Sequence, residues 1–175
     1  MTDGGPAADA PAGVDVPPGT DAGGDGSAGA DGVPVDGGFG AGCNTVATGT
    51  PVTVSCAGDG GVGVVPAPTG GSIVPGTYVL TAVTVYGACA AVDVAQTLVV
   101  TANTVETVIS DPINGLSRAN ATYAIAGSNM VQTNTCPNTD SRTLGFSVAT
   151  SAGGTTLTLI STDMSNTTVG VLTRQ

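Results

Sequence analysis

From Ile73 to the C-terminus the chain runs through eight short stretches of β-branched and aromatic residues, each closed by a turn signal. The hydrophobic period is two throughout, which is the pattern of half-buried strands rather than helices. The first strand is expected over 76–86, the second over 92–101 and the third over 104–109, with Ala102-Asn103 turning between the last two. Asn114-Gly115 is the strongest hairpin dipeptide in the chain, because both residues tolerate positive φ. After it, Ala119, Ala121, Tyr123 and Ile125 are expected to face inward, with Arg118, Asn120 and Thr122 outward. Four more strands follow: 130–135, one marked by Leu144, Phe146 and Val148, then 155–160 and 167–174.

Short connections make sequence neighbours pair antiparallel. Closing such a sheet on itself removes both exposed edges. The expected fold is therefore all-β, an eight-stranded antiparallel up-and-down barrel, with an open β-sandwich as the alternative. A barrel of eight strands is just wide enough to be filled by side chains or to hold one small ligand. Leu80, Ala82, Leu98, Val100, Ala119, Ala121, Tyr123, Ile125, Leu157 and Leu159 form the expected inward set. Because interiors are close-packed as a rule, a filled or flattened barrel is expected over a hollow one.

The stretch before the strands divides in two. Residues 1–42 are mostly Gly, Ala, Asp and Pro with scattered Val, and Asp3, Asp9, Asp15 and Asp21 recur at every sixth place. With so little to bury, ordering them would cost backbone entropy without return, so a disordered tether is expected. Asp21, Asp25 and Asp31 lack the alternate spacing and the closing Glu of a calcium loop. Residues 43–70 read as a small hairpin with a Gly49-Thr50-Pro51 bend, closed by its own cysteines, followed by a Gly/Pro linker. The barrel domain is then 71–175.

The cysteines are Cys43, Cys56, Cys89 and Cys136. No pair has C-x-x-C spacing and there is no His, which excludes the usual zinc sites. Four cysteines read instead as two disulfides, hence an oxidising compartment. Three pairings exist. Cys43–Cys56 with Cys89–Cys136 is favoured, since the connections holding Cys89 and Cys136 leave the same end of an up-and-down barrel. Met1-Thr-Asp-Gly-Gly has neither the basic start nor the apolar core of an export signal. The expectation is an extracytoplasmic protein, secreted or anchored at an outer membrane, whose export segment has been removed or lies upstream of a misassigned start. Cys43 is not preceded by the apolar segment that lipidation requires.

Thirteen acidic residues face three basic ones, Arg118, Arg142 and Arg174, for a net charge of −10. That argues against nucleic acid and against docking on anionic lipid, both of which need Lys and Arg. Membrane contact is expected only through a lost lipid anchor.

Gly76-Thr77-Tyr78 resembles the Gly-x-Trp opening of the lipocalins, with Tyr in place of Trp. Arg174 resembles the basic residue that packs across that aromatic and closes the barrel. A guanidinium over a ring face gains about 0.5–1 kcal/mol when exposed. The span from Ile73 to Gln175 is also similar to lipocalin-like, calycin-type domains of uncharacterised bacterial secreted proteins and lipoproteins, which carry an Asp/Gly/Ala-rich spacer. The resemblance implies Gly76, Tyr78 and Arg174 at the barrel's closure, a small apolar ligand inside, and no cofactor.

Catalysis has little to work with. There is no His to titrate near neutrality and no Lys for a Schiff base. Asp93 and Glu106 are the one carboxylate pair that a hairpin would bring together, as glycoside hydrolysis would need; solvated carboxylates explain them as well. Thr-x-Thr runs such as Thr156–Thr158 lack the regular ranks of ice-binding or filament surfaces, and Thr is a good exposed strand residue. Asn120-Ala-Thr122 and Asn166-Thr-Thr168 match the glycosylation acceptor and read as chance. The expected function is a non-catalytic, monomeric binding or display module. The alternatives are a filled structural barrel with protein partners, then a carboxylate-dependent hydrolase.

Overall fold

The structure is a computed structural model that describes residues 40, 42–57, 63–163 and 165–175. The tether expected over 1–42 falls almost wholly outside these, as do Asp21, Asp25 and Asp31. Eight long strands appear where the alternation predicts them: β3 (Gly76–Tyr86), β4 (Asp93–Val100), β5 (Thr104–Asp111), β6 (Gly115–Ala126), β7 (Asn129–Cys136), β8 (Ser141–Ser151), β9 (Gly154–Thr162) and β10 (Thr167–Arg174). Two short ones precede them, β1 (Val52–Thr53) and β2 (Ser55–Ala57). Each long strand pairs antiparallel with the next, and β10 returns to β3 along its length, from Thr167 opposite Tyr86 to Arg174 opposite Tyr78. The sheet is a closed eight-stranded barrel, and the sandwich alternative is set aside.

The chain builds its turns locally. Between β5 and β6, Asp111 Oδ1 accepts from the backbone N–H of Ile113 at 2.8 Å and of Asn114 at 2.7 Å, and Gly115 takes a φ of +73°. This connection and those after β3, β7 and β9 lie at one end of the barrel, the mouth. The turns after β4, β6 and β8 lie at the other, the base.

A bulge interrupts the alternation of β3. Leu172 of β10 faces Leu80, but its neighbour Val171 faces Ala82, so Thr81 is the extra residue. Inward positions are Tyr78 and Leu80 before the bulge, Val83 and Val85 after it. Ala82, expected inside, is thereby turned out and exposed. An extra residue in one strand inverts every side chain beyond it.

The barrel's seam is its least regular part. β3 and β4 pair only from Gly76–Val79 to Thr97–Val100, near the base. Towards the mouth they separate, and residues 52–57 occupy the gap. β1 pairs antiparallel with Asp93 and Val94 of β4, while β2 pairs parallel with Thr84–Tyr86 of β3. Between them Val54 is buried and donates its N–H to Val92 O at 2.8 Å. The expected hairpin over 43–56 is therefore not formed, and 43–57 is not a zone apart from the barrel. The parted strands offer this β-prone segment two rows of unpaired backbone groups, which a two-stranded local hairpin cannot match.

Residues 43–50 cross the outside of the barrel on their way to the seam. Asn44 Nδ2 donates to Thr107 O, Ala119 O and Asn120 Oδ1, and Asn120 Nδ2 donates back to Cys43 O. Arg118 donates to Asn44 Oδ1 and Val46 O. Gly49 lies so close to β3 and β4 that a Cβ there would come within 2.4 Å of Val79 Cγ1. The arm explains why Thr97 and Val108, on the barrel's outward face, are nonetheless buried.

All four cysteines are in disulfides, but the favoured pairing is replaced by Cys43–Cys136 and Cys56–Cys89. Each bond ties the arm to the barrel's mouth: one to the end of β7, the other to the connection after β3. Two bonds that fasten an arm follow directly from the arm's route across the barrel. Disulfides form and persist in oxidising, extracytoplasmic settings, and that is the setting these two mark.

Candidate functional site: a cavity at the mouth

The two ends of the barrel are filled differently. At the base Tyr78, Phe146 and Leu157 are fully buried, with Leu98, Val100, Val105, Ala121 and Met130 packed around them. Tyr78 Oη donates to Val74 O at 2.6 Å, and Tyr123 Oη to Thr101 O at 2.9 Å, so both phenols satisfy their polar tips in the loops that close this end. Desolvation pushes both hydroxyls above the ordinary tyrosine pKa; for Tyr78 the Arg174 charge and the Val74 hydrogen bond oppose it.

Towards the mouth the packing stops at Leu80 and Leu172, which form the floor of a cavity of about 340 Å3. Its walls are apolar on the seam side, where Val54 of the arm joins Val83, Val85 and Val94, and across from it, where Ile109, Leu144 and Leu159 stand. Gln96, Ser161, Thr168 and Arg142 supply the polar groups. Gly170 leaves the β10 wall bare. A Cβ there would meet only Leu80 Cδ1, at an ordinary 3.5 Å, so neither crowding nor backbone geometry requires glycine. Glycine weakens a strand interior, and its presence often marks a place another molecule approaches.

Arg142 lies near the mouth on the inward-facing register of β8, opposite Gln132 of β7. Its Nε donates to Gln132 Oε1 at 2.8 Å, and the Gln132 side chain is buried. Arg142 as a whole is exposed, yet partial desolvation where it lies against the cavity wall lowers its pKa, partly offset by the Asp140 charge.

Of the expected interior residues, Leu80 and Leu159 line the cavity. Leu98, Val100, Ala121 and Leu157 are buried in the packed base, and Tyr123 packs against them. Ile125 sits at the base rim and is 45% exposed, and Ala82 is outside. The filled-barrel expectation thus holds for one half and fails for the other. The residues missed, such as Val94, Gln96, Leu144 and Arg142, share register with predicted ones; extending the alternation two or four residues along each strand would have found them. Val54 had no such signal, because its strand pairs across a gap that the sequence does not announce.

The expected closure residues do meet. Arg174 stands opposite Tyr78, its Nε donates to Pro75 O at 3.1 Å, and a Cβ on Gly76 would come within 2.6 Å of that nitrogen. The expected carboxylate pair does not. Asp93 accepts from Thr53 Oγ1 at 2.7 Å, whereas Glu106 is paired with Val99, about 20 Å further along β4 at the rise of a strand. Asp163, like Asp111, holds its own turn, and Asp140 accepts from Asn134. No cluster of metal-ligating side chains occurs among the described residues.

Comparison with models of known families, with curated proteins and with solved structures finds no match.

Proposed function

We propose that this chain is a non-catalytic, extracytoplasmic binding module that holds a small, largely apolar ligand in the mouth half of its barrel. The observation that supports it most is a cavity of about 340 Å3, walled by aliphatic side chains and kept open by a strand glycine. Ligand sites are typically concave, mostly apolar and about 300 Å3 or larger. The separation of Asp93 from Glu106 removes the carboxylate pair that favoured hydrolysis. Secretion or lipid anchoring, and kinship with the lipocalin-like domains, belong to the same reading; the Tyr78–Arg174 closure supports the kinship.

Calorimetric titration with octan-1-ol, an eight-carbon neutral probe, tests it. The native protein is expected to saturate, and Gly170→Val, which projects two methyl groups into the cavity, is expected to lose binding while keeping its β circular dichroism. Absence of saturable binding, or equal binding by the variant, would overturn the proposal.

A further inference from the structure

The chain has three cations, and two are occupied with its own fold: Arg118 holds the arm, and Arg174 holds Pro75 at the base. Arg142 is different. One nitrogen, Nε, is fixed by Gln132, which orients the guanidinium along the cavity wall. Asp140, two residues away, accepts from Asn134 Nδ2 at 2.7 Å rather than from Arg142. Partial desolvation of the guanidinium is only partly offset by the Asp140 charge, and no carboxylate among the described residues is hydrogen-bonded to it. The remaining N–H groups of Arg142 are free to take an acceptor at the cavity mouth. Three neutral polar side chains also line the cavity: the Ser161 and Thr168 hydroxyls on the strands beyond β8, and the Gln96 amide on β4 across from it. Apolar surface fills the rest.

We infer that the cavity selects a small amphiphile with an anionic head, a monocarboxylate of roughly eight to ten heavy atoms at about 30 Å3 each, its tail on Leu80 and Leu172 and its head on the Arg142 guanidinium. The inference rests on the binding reading above and adds the head group to it. A planar guanidinium with one nitrogen already anchored presents its remaining N–H groups as a fork, the geometry that matches a carboxylate. The chain's net charge of −10 repels anions at long range, so a preference for one must come from a local contact such as this.

The test is calorimetric titration of the full chain at neutral pH with octanoate and, separately, octan-1-ol, which share a tail and differ in the head. Octanoate is expected to bind about tenfold more tightly, the low end of the net gain for a hydrogen bond to a charged group. Arg142→Gln, a change at the solvent-facing mouth, is expected to bring the two probes to equal affinity. Arg142→Lys, which keeps the charge but not the fork, is expected to keep a reduced preference. Equal or tighter binding of octan-1-ol by the native protein would overturn the head-group assignment alone. So would retention of the full preference in Arg142→Gln. Failure of both probes to bind would instead overturn the binding reading beneath it.

Discussion

The two halves of this barrel are cut from the same strands and obey the same alternation, yet one is solid and the other hollow. At the base the inward positions carry Tyr78, Phe146, Leu157 and Leu98, all buried. Further along the same strands they carry Thr168, Gly170, Ser161, Val83 and Gln96, which are too small or too polar to meet across the same width. Alternation thus decides which face a residue shows, while residue volume decides whether the enclosed space is filled. The halves also differ in what holds them. The base is held by burial, and the mouth by two disulfides and a borrowed segment.

That contrast can be broken at the covalent ties first. Replacing Cys43 and Cys136 by Ala opens a loop of sequence separation 93, expected to cost about 4–5 kcal/mol on the chain-entropy model. The separation of 33 for Cys56–Cys89 gives about 3–4 kcal/mol on the same model. In either variant, amide hydrogen exchange should quicken at the mouth before the base; uniform quickening would mean that the halves are one cooperative unit. A second comparison uses deletions. Phe146→Ala in the base should lose about 3–5 kcal/mol in chemical denaturation. Leu159→Ala, beside space already empty, should lose about 1–2 kcal/mol, the low end for such truncations. Equal losses would erase the distinction.

Smaller effects sharpen it. Tyr78→Phe removes the hydrogen bond to Val74 and should cost about 1 kcal/mol. Burial raises the Tyr78 pKa above its ordinary value of 10.0, so the buried phenol favours the folded state fully below that pH. The contribution is lost as pH rises from there through the folded pKa. The variant should therefore show a shallower alkaline decline in stability than the native protein. Gly170→Val should do the reverse of the other substitutions and stabilise by about 0.5–1 kcal/mol, since glycine is a poor strand residue. A destabilised Gly170→Val would mean that the wall has no room for a side chain there.

The eight strands and their closure were legible because period-two runs and turn residues are local signals, and Asn114-Gly115 marks its turn unaided. The bulge at Thr81 was not, because nothing in Leu80-Thr81-Ala82 distinguishes a bulged strand from a regular one; it comes from fitting β3 to β10. The arm was misread for a related reason. Residues 52–57 have strand character but their partners lie 29 to 42 residues away, so proximity along the chain suggested a hairpin and a local disulfide. Arg142 was overlooked as a site residue because a charge at a strand's end reads as surface until the register shows which way it points.

The seam has a practical consequence for where this module begins. A version trimmed to start at Gly71 would be a ring with a missing stave: β3 and β4 would show unpaired N–H and C=O groups to each other across an empty slot. Exposed edges of this kind recruit strands from other molecules, so such a fragment should cross-associate in gel filtration more than the full chain. The smallest self-sufficient piece starts no later than Cys43, ahead of every residue that the alternating pattern alone would place in the barrel.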